Sequence, residues 1–151
     1  MAKELRIYVD TSVVGGCLDD EFREASVKLM DMFRERRAVA LLSWLLLQEL
    51  RKAPVAVRQV VEGLPDASIE AVPVIEEAER LQTLYLREAV VGTSCANDAL
   101  HVALATTARA DMIVSWNFKH IVHFDKMRGF NAINLREGYA QLSIYSPLEV
   151  V

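Results

Sequence analysis

Apolar and polar residues alternate at the start of residues 5–9 (Leu-Arg-Ile-Tyr-Val), which predicts a strand ending at Asp10. Gly15-Gly16 then breaks the chain. A helix is predicted over about residues 21–37, because Ala25, Leu29, Met32 and Phe33 share one face at helical spacing. A compact apolar run at 38–42 follows, and Ser43 is placed to cap a helix over 44–52. Pro54 opens another short helix with a stripe of Val57, Val60, Val61 and Leu64. A brief strand over 69–72 precedes a helix over about 75–90, with Ala78, Leu81 and Tyr85 turned inward. Gly92-Thr93-Ser94 reads as a loop, and Asn97 as the cap of a helix running to about residue 109. A buried strand at 112–115, a helix at 118–127 and short strands at 132–134 and 144–145 complete the pattern. Strands alternating with helices predict an α/β fold whose largely parallel sheet is covered on both faces. Ligands of such sheets gather beyond the carboxyl ends of the strands, where strand order reverses.

Composition narrows the classes. With 151 residues, 52% hydrophobic and 25% charged, the chain is expected to form one globular domain over 1–151. No apolar run reaches the ~18 residues of a membrane span, and Met1-Ala2-Lys3-Glu4 leads straight into a strand without a signal-like segment. A cytoplasmic protein is expected. Cys17 and Cys95 form no Cys-x-x-Cys pair and read as small packing residues. A net charge of −4 excludes broad coating of nucleic acid through its phosphates, so any grip on a polyanion must be local. Carboxylates holding divalent cations would supply one, because bound ions reverse the local field.

Three acids stand out. Asp10 ends an apolar strand, where an unpaired carboxylate is costly; Thr11 and Ser12 can orient it, although Asp-Thr-Ser also makes an ordinary turn. Glu49 lies in Leu45-Leu46-Leu47-Gln48-Glu49-Leu50, a helix apolar enough to be largely buried, and calls for either a salt bridge, with Arg51 or Arg6, or a cation. Asp98 opens a helix, which favours the helix dipole by itself. Together they form an oxygen-rich set suited to Mg²⁺ or Mn²⁺, and no Cys/His cluster in the sequence suggests zinc.

The segments Tyr8-Val9-Asp10-Thr11-Ser12, Leu47-Gln48-Glu49-Leu50, Asn97 through Ala105 and Ile113-Val114-Ser115-Trp116-Asn117, in that order, resemble a PIN domain. The resemblance spans residues 7–135. It implies a three-layer α/β/α sandwich with a mostly parallel sheet of about five strands, and cleavage of single-stranded RNA dependent on Mg²⁺ or Mn²⁺. Small stand-alone members similar to this chain are VapC-type toxins of prokaryotic toxin–antitoxin pairs, commonly dimeric; the resemblance therefore implies a homodimer and a small antitoxin partner. Asp10, Glu49 and Asp98 would hold one or two ions for in-line attack of water on phosphorus. Asn117 would position water or bond Asp10. It stands where members of the family often carry an aspartate, which implies weaker binding of a second ion. Ser115 joins Thr11 and Ser12 as a supporting residue.

The remaining features have competing readings. Asp111 precedes its strand and belongs at the opposite edge of the sheet; Asp125 lies well into a helix. His101, three residues after Asp98, is expected to pack against the sheet rather than touch the site. Lys119, His120 and His123 form either a phosphate contact or a solvated face. Trp116 either stacks on a base or covers the core. The alternative function is a catalytically impaired PIN-like module that binds RNA or protein, with Asn117 as its mark. A haloacid-dehalogenase-type phosphotransferase is disfavoured, since Ser12 occupies the place of its second acid.

Overall fold

The computed structural model describes residues 4–151; the leader reading of Met1-Ala2-Lys3 lies outside them. Five strands, β1 (Leu5–Val9), β2 (Ala38–Ser43), β3 (Ile69–Val72), β4 (Met112–Val114) and β5 (Ser143–Tyr145), form one sheet in the order β3-β2-β1-β4-β5. Every neighbouring pair is parallel. Among the described residues seven α-helices join them: α1 (Thr11–Gly16), α2 (Arg23–Arg34), α3 (Trp44–Leu50), α4 (Val55–Glu62), α5 (Glu76–Arg87), α6 (Ala96–Thr107) and α7 (Phe124–Arg136).

The sheet reverses direction of growth at β1, which lies between β2 and β4 and is buried from Ile7 to Val9. Side chains of a strand alternate between faces. Tyr8, Leu41, Ile113 and Ile144 accordingly face α5, α6 and α7, in a core with Leu81, Tyr85, Leu104 and Phe130. Ile7, Val9, Ala40, Leu42 and Val114 face the opposite layer, with Val13, Leu29, Phe33 and Leu46. The α/β/α sandwich expected from the sequence is present.

Four local expectations need correction. Gly15-Gly16 does not break the chain but closes α1. Gly16 is needed there, because a Cβ would lie 2.6 Å from Ser26 Oγ and 2.8 Å from Trp116 Nε1, which are themselves hydrogen-bonded. Gly16→Ala should therefore cost about 1–3 kcal/mol through overpacking; calorimetry should find a lowered Tm, and an unchanged one would mean the pair yields freely. Asn97 is not a cap, since Cys95 precedes the first helical residue and Asn97 lies inside α6, exposed. Residues 118–123 make turns rather than a helix: Asn117 Oδ1 accepts from the backbone N–H of Lys119 and His120, and Asn117 O from those of Ile121 and Val122. Residues 132–134 belong to α7 rather than to a strand. Phe130, Ile133 and Asn134 form its buried face, where Asn134 Oδ1 accepts from the Tyr85 hydroxyl.

The α3 helix is less buried than its leucines imply, with Leu45, Leu46 and Leu50 inside but Trp44 and Leu47 exposed. Ser43 caps it as expected, accepting from Leu46 N–H at 3.0 Å.

Candidate active site

Parallel pairing brings the carboxyl ends of β1 and β4 side by side, and Asp10 N–H continues their ladder by donating to Val114 O at 3.1 Å. Asp10 immediately precedes α1 but makes no side-chain cap, so its carboxylate remains available to its surroundings. It is 5% exposed. Its Oδ2 accepts from Ser12 and Ser115 hydroxyls, each at 2.7 Å. Both hydroxyls are aimed by the backbone: Ser12 Oγ accepts from Trp116 N–H at 2.9 Å, and Ser115 Oγ accepts from Asn117 N–H at 2.9 Å. With those positions filled, each serine proton is directed to Asp10.

Glu49 reaches the same region from α3. Its partner is neither Arg51 nor Arg6. Arg6 instead pairs with Glu70 across β1 and β3, its Nε donating at 2.9 Å, and its backbone N–H donates to Asp111, which lies at the opposite end of β4 as anticipated. Glu49 Oε1 accepts from Thr11 Oγ1 at 2.6 Å and from His101 Nε2 at 2.6 Å.

His101 is the residue that the sequence reading missed. It is buried, as expected of a packed histidine, yet its ring stands inside the acidic group, with Nε2 also 3.6 Å from Asp10 Oδ1. The Tyr8 hydroxyl donates to Ser43 Oγ at 2.8 Å, and His101 Nδ1 lies 2.7 Å from the same hydroxyl. The acids around the ring favour the protonated form of His101. Burial alone would lower its pKa; the hydrogen bond to Glu49 and the charges of Asp10, Glu49 and Asp98 outweigh that and hold it above the usual value. Glu49 is the counterpart: burial would raise its pKa, but the bonds from His101 and Thr11 and the histidine's charge bring it below the usual value. The available signal was spacing, because His101 lies one turn after Asp98 on the same helix face.

Asp98 stands in the first turn of α6. Burial, joined by the charge of Asp10, raises its pKa, against the charges of His120 and His101 and a hydrogen bond with Asn117. Because Asn117 Oδ1 is taken by two backbone N–H groups, its amide nitrogen is the donor to Asp98. Asn117 therefore bonds Asp98 rather than Asp10. Lys119 is exposed two residues further on, and exposed His123 precedes α7. Trp116 is a packing residue: it stacks on Phe22 with centroids 4.3 Å apart and donates Nε1–H to Ser26 at 2.8 Å.

The donor set fits a hard divalent cation. Among the described residues no hydrogen bond reaches Asp10 Oδ1 or Glu49 Oε2, and burial and the charge of Asp10 disfavour the charged form of Asp98. Magnesium commonly takes one or two carboxylates and keeps several waters, which suits acids this loosely spaced. Among the described residues, the trio whose ligand atoms lie within 4.8 Å of one another is a different one, Cys95, Asp98 and His120. The expectation that no Cys/His cluster exists is thus corrected: Cys95 and His120, 25 positions apart in sequence, meet only in the fold.

Comparison with protein families matches residues 6–119 to a model described as PIN domain. Comparison with curated proteins finds no match. Solved structures that the chain resembles include VapBC2 from Rickettsia felis bound to a promoter DNA fragment, at 12% identity and TM-score 0.56 over 94% of this chain and 98% of the other. DNA-bound VapBC from Salmonella typhimurium is similar at 17% identity and TM-score 0.56, covering 95% and 98%. So is VapC20 of Mycobacterium tuberculosis, a toxin that cleaves the sarcin-ricin loop, at 16% identity and TM-score 0.58, covering 90% and 98%. At these identities the likeness is one of fold. Among the described residues, no helix is long and apolar enough to cross a membrane.

Proposed function

Because the chain belongs to the PIN-domain family, we propose that it is an endoribonuclease that hydrolyses phosphodiester bonds of single-stranded RNA with Mg²⁺ or Mn²⁺. The observation that carries this reading is the set of acids around His101, whose Nε2 lies 2.6 Å from Glu49 and 3.6 Å from Asp10 and which feels the charge of Asp98. The structural likeness to VapC20 and to two VapBC complexes supports an RNA substrate and an antitoxin partner; a homodimer is proposed on the family resemblance alone.

Asp10, Glu49 and Asp98 would hold the ion, which when bound lowers the pKa of attacking water and offsets charge developing on the phosphate. Ser12 and Ser115 fix the Asp10 carboxylate on one oxygen and leave Oδ1 facing the site. Thr11 and His101 do the same for Glu49, leaving Oε2. Protonation of His101, which the surrounding acids favour, offsets one of the three negative charges and eases their repulsion of a polyanionic substrate. Asn117 orients Asp98 through its amide and ties the turn carrying Lys119 to the site, where the exposed lysine is available to a phosphate. Since the whole chain is acidic, attraction of RNA depends on this local balance rather than on a basic surface.

The test is incubation of the full chain with a mixed panel of single-stranded RNAs in Mn²⁺, Mg²⁺ or EDTA. Cleavage with either ion and none in EDTA is expected. RNA retained on filters but intact under all three conditions would favour the binding-module reading, for which the uncharged Asn117 is the specific support.

A further inference from the structure

Beside the acidic group lies a second constellation of different chemistry. Cys95, at the end of the single turn Thr93–Cys95, Asp98, in the first turn of α6, and His120, in the turn after Asn117, each offer one ligand atom, all within 4.8 Å of one another. All three residues are partly exposed, so an ion has access from solvent. We propose that Cys95, Asp98 and His120 bind a zinc-class transition-metal ion, in a site that shares Asp98 with the candidate active site. This goes beyond the nuclease reading, because Cys95 and His120 play no part in that reaction.

Softness separates the two sites. Thiolate and imidazole favour Zn²⁺ or Co²⁺ over Mg²⁺, whereas the all-oxygen set of Asp10 and Glu49 favours the harder ions. Ligand atoms around tetrahedral zinc lie about 3.3–3.8 Å apart, given bonds of about 2.0–2.3 Å, so side-chain rotations of about 1 Å close the cluster. Three protein ligands leave one position open. The scaffold is held in place: His120 N–H donates to Asn117 Oδ1 at 2.9 Å, and the same asparagine's amide faces Asp98. Cys95 is free to turn toward the ion, since its sulfur has only a weak 3.8 Å contact with Ser94 Oγ and makes no helix cap. Asp98, whose charged form is disfavoured by burial and by Asp10, gains a cation. A bound ion would displace the thiol proton to solvent. Zinc held here also withdraws Asp98 from the Mg²⁺ or Mn²⁺ set and would act as a brake on that chemistry.

Titration of the full-length protein with Co²⁺ tests the site without reference to activity. Wild type should develop a thiolate-to-Co²⁺ charge-transfer band that saturates at one equivalent and is abolished by adding Zn²⁺. Cys95→Ser should lose the band. His120→Gln should weaken Co²⁺ affinity by about tenfold or more, on the scale of disturbing a metal's coordination. Cys17→Ser should keep the band, since Cys17 is buried in the opposite layer with its thiol on Val13 O. Circular dichroism checks that each variant is folded. A wild-type protein without the band, a band surviving in Cys95→Ser, or affinity unchanged in His120→Gln would each overturn the proposal. Failure of RNA cleavage would leave it standing, and a missing band would leave the nuclease reading standing.

Discussion

Asp10→Asn is expected to reduce Mn²⁺-supported RNA cleavage by more than about 100-fold, since disturbing even the partners of a metal ligand costs about 10–100-fold. The substitution is nearly isosteric. An asparagine carbonyl can accept both serine hydroxyls that Asp10 Oδ2 accepts now, so the strand end keeps its bonds. What changes is the other atom: an amide N–H₂ replaces Oδ1, a donor facing the His101 nitrogen at 3.6 Å, where an anion now stands. The site loses a negative charge and gains a repulsive contact. Initial rates beside thermal melts separate the two effects. Activity within a few-fold of wild type in a folded variant would remove Asp10 from the centre of the site.

The second large effect is on stability. His101→Leu should destabilise the metal-free protein by about 2 kcal/mol, below the ~3–5 of a fully buried pair broken on one side, because Glu49 retains 30% side-chain exposure. The loss should depend on pH. The folded-state pKa of His101 is raised, so its contribution is complete below the unfolded value of about 6.5 and disappears as pH rises through the folded value. Glu49 is lowered, so its contribution is present above about 4.3 and disappears as pH falls through the folded value. The gap in Tm between wild type and variant, measured in EDTA, should therefore be widest near pH 5–6 and narrow on the alkaline side. A constant gap from pH 5 to 9 would show that His101 is buried neutral.

The two faces of the sheet were legible because strand and helix periods differ: 5–9, 69–72 and 112–115 are short β-rich runs between helical stripes. The stretch from 118 to 134 was not. Residues 118–127 carry enough apolar residues to suggest a helix, but Asn117 spends its side-chain oxygen on the next backbone N–H groups and turns the chain. Gly129 discourages a helix on propensity alone, yet α7 needs it, because a Cβ there would lie 2.9 Å from Val90. Asp10, Glu49 and Asp98 could be proposed from strand ends and local polarity. Their neutralising partner could not, since a histidine amid alanine and valine on α6 looks the same whether it meets core or carboxylate. Serine 115 was visible as a neighbour of β4, but its bond to Asp10 depends on which strands are adjacent, which no local pattern encodes.

That bond joins positions 105 residues apart. During synthesis at about 5–20 residues per second, Asp10 leaves the ribosome several seconds before β4 and the Ser115 at its carboxyl end. Until then the Asp10 carboxylate lacks the Ser115 hydroxyl that shares its Oδ2 with Ser12. The order of translation thus sets an order of assembly: the Asp10 carboxylate acquires its full set of hydroxyl partners only after β4 has been made.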